Sequence, residues 1–497
     1  MDQDHIPGDS PQDNIPGNNL PAFPYYGPPA VYVKPPRRRR PLIISLIAVL
    51  LAAVITVTAI LVLNPPYRLQ GNAGVVAAYE YACEYMKQSE RMTSGTAGGD
   101  IGKRLGAEPF EIECALNIAS DQFEDTGIPL KSIPVGIDIK YDMTDLGMQV
   151  SAMGFQVLSA YVIGDEFVVN IADSAGSEKI DLPVKANLSE PMTLPDRFVA
   201  FLPFLAKDNS ALYMKILEAF AQSVPDEYTS TYTLEIYSPA AGRDVKTLVV
   251  ETELDTKAIA EVVHNFAGQL REDKELVKEI QAIADEIADY LDLEHTDINR
   301  KLDEMENTDE SSLNGAELSW EVYKRNGRYS GMSVTAQQSD TGSTTFLSEF
   351  DNNVFYTSYK IESEMMTGES YTVNTYNGNR IEIETKTTIE SEYMASSSQQ
   401  SGTVEYTRTG AGEYAGDIDI TIDQSTTYTS LDDTSQETQT STTLTGDIEF
   451  RFGDDLKTLK DSPRWNDIYD MEWGTLEDAM QGIYDLGPIL GGNLNIL

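Results

Sequence analysis

The sequence is short of the residue types that most often build metal and nucleophilic centres. It has two cysteines and three histidines among 497 residues. No two histidines stand at a metal-ligand spacing, so the sequence predicts no zinc site. The Gly-x-Ser-x-Gly, Walker A and dinucleotide-binding glycine motifs are also missing. We therefore expect a protein that is not an enzyme and that uses no cofactor or metal.

Positive charge is the second shortage. The chain has 36 Lys and Arg residues against 80 Asp and Glu residues, which gives a net charge of −44. A surface of this sign repels nucleic acids and anionic lipid headgroups. The sequence thus predicts no nucleic-acid partner, and the surplus of carboxylates is typical of a solvated surface.

The two cysteines, Cys83 and Cys114, leave two alternatives open. Each falls on the apolar side of its predicted helix or strand. A disulfide between them would stabilise the fold by about 3–4 kcal/mol in the chain-entropy model. Two buried free thiols are the other alternative. Neither cysteine has a basic or His neighbour in sequence, which argues against a reactive thiolate.

The longest apolar run is Leu42–Leu63, which carries no charged residue. At about 1.5 Å per residue in a helix it is long enough for a bilayer core of about 30 Å. Before it stand the topogenic residues Arg37, Arg38, Arg39 and Arg40, which predict a cytoplasmic N-terminus. The pattern predicts a single-pass protein of the cell membrane with an extracellular C-terminal domain.

Composition divides the chain into five predicted segments. Residues 1–41 are Pro-rich and predicted to be a disordered cytoplasmic tail. The transmembrane helix (42–63) and a linker (64–71) follow. Residues 72–310 form the first half of the outer part and residues 311–497 a β-rich second half, which we expect to share one sheet and core with the first.

The hydrophobic pattern predicts an α+β fold. Residues 110–171 alternate as strands, residues 257–306 have helical periodicity with Asp255 as N-cap, and residues 316–452 alternate again. Asn377-Gly378 predicts a type I′ hairpin. We expect a long antiparallel β-meander, an open half-barrel-like sheet, with helices packed on one face and one N-terminal transmembrane helix.

The strand-to-helix passage TLVVETELDTKAIAEVVHNFAGQLREDKELVKEI (247–280) resembles that of single-pass cell-surface proteins of unknown function in Gram-positive bacteria. Over roughly residues 72–490, the order of elements is similar to lipoprotein-carrier folds of the LolA/LppX type. The resemblance implies an open antiparallel half-barrel with helices on its concave side. It implies no catalytic residues.

The leading functional hypothesis is a membrane-anchored extracytoplasmic binding protein for a lipid or other apolar envelope ligand. The predicted pocket lining is apolar and comes from two helical segments: Phe198, Phe201, Phe204, Leu205, Ile259, Val263, Phe266, Ile280 and Ile287. The alternative is that these residues are ordinary core. Two other functions stay open: a structural or adhesive ectodomain that binds protein or glycan, and a carboxylate-based envelope hydrolase.

Overall fold

The chain divides into two compact units, Met1–Leu42 and Ile43–Leu497, and every described residue lies in the second. The computed structural model describes residues 68–105, 107–121, 123, 131–163, 166–172, 177–183, 210–290, 295–339, 342–391, 394–429, 435–462, 465 and 473–474. The predicted tail, linker start and transmembrane segment lie outside these residues.

Six α-helices occur in the described part of the chain. They are α1 (Ala73–Thr93), α2 (Ala97–Arg104), α3 (Ser210–Ser223), α4 (Thr256–Glu272), α5 (Lys274–Tyr290) and α6 (Ile298–Glu306). Helix α4 begins as the sequence predicts, because the Asp255 side chain accepts a hydrogen bond from the Ala258 backbone N–H at 2.8 Å.

Strands make up most of the rest. They are β1 (Phe110–Ser120), β2 (Ser132–Tyr141), β3 (Leu146–Ala152), β4 (Phe155–Ile163), β5 (Glu166–Ala172), β6 (Ser177–Pro183), β7 (Thr229–Ser238), β8 (Arg243–Leu254), β9 (Ala316–Arg325), β10 (Arg328–Gln338), β11 (Gly342–Asp351), β12 (Val354–Glu362), β13 (Met366–Asn377), β14 (Arg380–Ser391), β15 (Met394–Gly410), β16 (Glu413–Thr429), β17 (Ser435–Phe452) and β18 (Trp473–Gly474).

These eighteen strands form one sheet. Strands β7 to β17 pair in chain order, each antiparallel to the next. Strand β17 then pairs with β1, and β1 to β6 continue in order. The short β18 runs parallel to β6. The β1–β17 pair therefore joins the two meanders into one sheet.

The helices cover only part of this sheet. Helix α1 packs on β8, β9 and β10, and α4 packs on β9, in a core that includes Trp320 and Val322. Helices α3 to α6 form a smaller core of their own around Phe266 and Leu270. Helix α2 packs against Tyr414, Phe450 and Phe452.

The predicted α+β class is wrong, because the protein is a β-rich fold built on one long antiparallel sheet with few helices. The prediction gave the helices the role of covering one face. In the structure they contact only some of the strands, and β15, β16 and β17 each run for 17 or 18 residues. Hydrogen-bonded pairing between these long strands therefore makes up most of the fold.

The predicted transmembrane helix and cell-membrane localisation are also corrected. Among the described residues no helix combines the length and apolar character that crossing a membrane requires. The run Leu42–Leu63 and the arginines before it lie outside those residues. The other segments, 1–41, 64–71, 72–310 and 311–497, stay predictions.

One hairpin differs in detail from its prediction. Strand β13 ends at Asn377 and strand β14 begins at Arg380, and these two residues are paired. The two-residue loop is therefore Gly378-Asn379. Gly378 has a φ of +68° and Asn379 has no positive φ. A type I′ turn requires positive φ at both central residues, whereas a type II′ turn places Gly first, so this loop follows the second pattern.

Candidate functional site

Cross-strand partners share a face of a sheet, so the register defines the two faces of this one. We call the side on which α1 and α2 pack the inner face. Tyr85 of α1 lies 5.1 Å from Phe355 between ring centroids, and Ile101 of α2 packs with Phe450. We call the end of the strands beneath these helices the helix end, and the opposite end the open end.

Beyond the aromatic residues, the inner face of β14–β17, β1 and β2 carries two rows of aliphatic residues, which we call the aliphatic band. The first row is Ile381, Val404, Ile418, Leu116 and Val135, and the second is Ile383, Ile420, Leu444, Ile118 and Ile133. All ten are half-buried. Among the described residues, none of them belongs to the packed cores.

The next two rows toward the open end are rich in hydroxyl groups. This hydroxyl band consists of Thr372, Thr385, Thr442, Ser120, Ser370, Thr387, Ser398 and Thr440. Three hydrogen bonds join its members across strands: Ser370 to Thr387 at 2.9 Å, Thr372 to Thr385 at 3.1 Å, and Thr442 to Ser120 at 3.2 Å. The inner face therefore changes from aromatic to aliphatic to hydroxyl along the strands.

Charge is confined to the other face. At the inner-face positions of β12–β17 and β1–β3 there is no Asp, Glu, Lys, Arg or His, apart from Arg408 at the helix end, where it lies 3.9 Å from Asp100. The outer face of the same strands exposes many carboxylates: Glu382, Glu384, Glu405, Asp417, Asp419, Asp447 and Glu449. A chain of net charge −44 thus keeps one broad surface uncharged.

Two glycines allow neighbouring strands to approach closely within the aliphatic band. A Cβ atom at Gly402 would lie 2.7 Å from the Cα atom of Ile420, and one at Gly446 would lie 2.8 Å from the Cα atom of Leu116. Only glycine permits backbone contacts this close.

Four of the nine predicted pocket residues have described side chains, and these four do not line this surface. Ile259 and Val263 are buried in the core between α1, α4 and the sheet. Phe266 is buried in the core of helices α3 to α6, and Ile280 packs against it. The side chain of Ile287 and the residues Phe198, Phe201, Phe204 and Leu205 lie outside what the structure describes.

Both cysteines are free thiols. Cys83 lies on α1 and packs against the main core, while Cys114 lies on β1, opposite Ile448 and Ile137. Burial raises the pKa of each thiol. The disulfide alternative is not what this structure contains, and thiols with raised pKa values are poor nucleophiles at neutral pH.

The most deeply buried charged residue of the described part of the chain, Glu349, belongs to a closed network elsewhere. Arg325 donates to Glu349 at 2.8 Å, to Ser238 at 3.0 Å and to Thr247 at 3.0 Å. Ser238 in turn donates to Glu349 at 2.7 Å. Gly331 lies between, where a Cβ atom would approach the Cγ atom of Glu349 to 2.9 Å. Every group has its partner, so this network holds strands together and offers no open position.

Metal binding finds no support in the described part of the chain, where no three His, Cys, Asp or Glu side chains are placed to hold an ion. Carboxylates do lie opposite one another on the outer face, as Asp417 does with Asp447. Both are exposed.

The aliphatic band has a signal in the sequence. The stretch GDIDITID (416–423) alternates, and the structure places Ile418 and Ile420 on the inner face and Asp417 and Asp419 on the outer face, as this alternation predicts. The hydroxyl band has no such signal. Ser and Thr occur on both faces of these strands, and only the register assigns Thr385 and Thr387 to the inner face.

Comparison with protein-family models found no match, and no curated protein matches either. Among solved structures, the chain is similar to a CymD monoaromatic hydrocarbon channel at 7% identity, over 70% of this chain and 88% of that one, with a TM-score of 0.19. OccK2 (OpdF) of Pseudomonas aeruginosa in complex with glucuronate matches at 8% identity, over 69% and 96%, with a TM-score of 0.19. At these TM-scores the likeness carries no argument about fold or function.

Proposed function

We propose that the protein binds an apolar ligand on the aliphatic band and performs no catalysis. The observation that carries this proposal is that ten uncharged, half-buried aliphatic side chains lie in two neighbouring rows on one face, outside the packed cores of the described residues. Covering such a surface is favourable by about 25 cal/mol for each Å² of apolar area removed from water. Contiguous apolar surface of this kind commonly marks a binding site.

The first test is native mass spectrometry of the full-length protein, followed by organic extraction. A co-purifying apolar mass supports the proposal. Titration with Nile red, an uncharged apolar dye, then measures the affinity of the empty protein, and an absence of saturable dye binding would contradict the proposal.

A pair of variants on one strand locates the site. Leu444 lies in the aliphatic band, whereas its neighbour Thr445 lies exposed on the outer face. We expect Leu444→Asn to weaken dye binding by roughly fivefold or more, because an amide replaces buried apolar surface. Thr445→Asn should leave the affinity unchanged. If the two substitutions changed the dye affinity equally, the dye would not bind on the aliphatic band.

The adhesive and hydrolase alternatives stay predictions. The first calls for binding of protein or glycan by the outer face, and the second for loss of an activity when a pair of carboxylates is changed.

A further inference from the structure

The inner face is graded in polarity along the strand direction. On β14, for example, Ile381 and Ile383 are followed by Thr385 and Thr387, all on the inner face. Successive inner-face residues are about 6.8 Å apart, since each residue of an antiparallel strand advances about 3.4 Å. A ligand that lies along the strands therefore meets two aliphatic rows and then two rows of hydroxyl groups.

The hydroxyl band keeps hydrogen-bonding capacity beyond its internal bonds. A hydroxyl group has one donor hydrogen and two acceptor lone pairs. In the pair Thr372–Thr385, one bond of 3.1 Å uses one donor and one acceptor, which leaves one donor and three acceptor positions. Both residues are half-buried on the inner face, so part of each side chain is accessible from that face.

The absence of charge on this face restricts the ligand further. An anionic headgroup would find no Lys, Arg or His among the inner-face positions of the bands, and the exposed carboxylates of the outer face would repel its approach. A cationic headgroup would likewise find no carboxylate there. An uncharged headgroup meets neither penalty, and it can exchange hydrogen bonds with the hydroxyl band.

Building on the proposed function, we infer that the ligand is a neutral amphiphile. Its aliphatic tail lies on the aliphatic band toward the helix end, and its hydroxyl-bearing headgroup lies on the hydroxyl band toward the open end. The tail supplies most of the affinity through burial of apolar area, and the headgroup fixes orientation and selectivity.

Displacement of Nile red by ligands with the same twelve-carbon acyl chain tests this inference on the full-length protein. 1-Lauroylglycerol has a neutral head with two hydroxyl groups, methyl laurate has no hydrogen-bond donor, and laurate is an anion. We expect 1-lauroylglycerol to bind about fivefold or more tightly than methyl laurate, as one or two net hydrogen bonds would give. Laurate should bind most weakly. Equal binding of the two esters, or tighter binding of laurate, would overturn the inference.

Paired variants assign the selectivity to the hydroxyl band. Thr372→Val/Thr385→Val removes both hydroxyl groups of one cross-strand pair while keeping side-chain shape. We expect it to abolish the preference for 1-lauroylglycerol and to leave methyl laurate binding unchanged. Thr388→Val, on the outer face of the same strand, should keep the preference. A preference that survives in the double variant, or is lost in Thr388→Val, would overturn the inference, and urea midpoints verify folding of each variant.

Failure of this inference is distinguishable from failure of the proposed function. If neither ester displaces the dye, the proposed function itself fails. If both displace it equally, apolar binding stands and the headgroup assignment is wrong. A competing hypothesis is that an apolar segment of the chain itself, residues 197–206, covers the aliphatic band, and Phe201→Ser/Phe204→Ser tests this hypothesis. A rise in affinity for both esters would show that this segment occupies the band and would overturn the inference, whereas unchanged or lower affinity retains it.

Discussion

At the scale of single residues, the network around Arg325 shows how a buried charge is accommodated in a sheet. Four strands contribute, because Ser238, Thr247, Arg325 and Glu349 lie on β7, β8, β9 and β11. The intervening β10 contributes Gly331, whose lack of a side chain lets Glu349 reach across it. The Arg325 and Glu349 side chains are 7% and 1% exposed, so neither is compensated by water.

We predict that Glu349→Gln lowers the free energy of unfolding by about 3–5 kcal/mol, because it leaves a buried guanidinium without its counter-charge. Urea denaturation measures the change. The matched control is Glu362→Gln, whose partner Lys360 lies on the surface, with both side chains about half exposed. An exposed pair of this kind contributes little to stability, because solvent screens the two charges. A loss in Glu349→Gln no larger than in the control would contradict the prediction.

A second prediction concerns Tyr228, which donates a hydrogen bond of 2.8 Å to Glu261 of α4. This bond, with smaller contributions from burial and nearby carboxylates, raises the pKa of Tyr228 to about 12. The raised value means that the bond's contribution to stability is complete below pH 10 and is lost as the pH rises through 12. We expect Glu261→Gln to lower the pKa of Tyr228 toward 10.

Carbon-13 NMR of protein labelled at the tyrosine Cζ position measures this pKa, and the spectrum of Tyr228→Phe assigns the signal. An unchanged titration in Glu261→Gln would show that the carboxylate is not the cause. A shift of similar size in Glu251→Gln, whose carboxylate lies near Ser230 and not Tyr228, would point to a general charge effect.

At the scale of elements, short helix α2 depends on a cap from a distant hairpin. The side chain of Asn379, in the β13–β14 loop, accepts a hydrogen bond of 2.8 Å from the backbone N–H of Ala97. Thr96 accepts another from Gly99 at 3.0 Å. These bonds satisfy two of the N–H groups that every helix leaves unpaired at its start. They also fix α2 over the aromatic residues at the helix end.

We expect Asn379→Ala to lower the free energy of unfolding by about 0.5–2 kcal/mol, the range for loss of a helix cap. Asn379→Asp keeps the acceptor and adds a negative charge near a helix N-terminus, so it should retain most of the stability. Thermal unfolding compares the two variants with the parent. If both substitutions cost the same, the acceptor oxygen is not what stabilises α2.

At the scale of the whole molecule, the dominant feature is a net charge of −44. Like charges lie opposite one another on the outer face, as Glu113 does with Glu449 on the neighbouring strand. Opposed like charges destabilise a sheet, and a large net charge opposes compaction. Exposed ion pairs such as Arg380 with Glu382 act in the other direction, but acidic residues outnumber basic ones by more than two to one.

We therefore predict that the urea midpoint rises when sodium chloride is increased from about 10 mM to about 150 mM, because the screening length falls from about 30 Å to about 8 Å. Salt then weakens the repulsion among the excess carboxylates more than it weakens the attraction within ion pairs. A midpoint that falls with salt would show that ion pairs outweigh the repulsion. Repeating the titration at pH 5 supplies a control, since a smaller net charge should reduce the salt effect.

The local features follow from the sequence alone, because they depend on neighbours in the chain. Three such features can be predicted from the sequence alone. They are the helix cap at Asp255, the alternation of Ile418 and Ile420 with Asp417 and Asp419, and the surplus of carboxylates. A side chain's position in a strand fixes which neighbours share its face, so alternating patterns predict one apolar and one acidic face.

The identity of neighbouring strands, in contrast, is known only from the three-dimensional structure. Strand β1 pairs with β17, more than three hundred residues later, and this pairing places Leu444 beside Ile118 to complete the aliphatic band. Strand pairing also places Thr372 beside Thr385 in the hydroxyl band, and Glu349 beside Arg325. Serine and threonine occur on either face of a strand, so their positions in the sequence do not predict the register between strands. Contacts between distant segments depend on the pairing of the whole sheet, which no local pattern specifies.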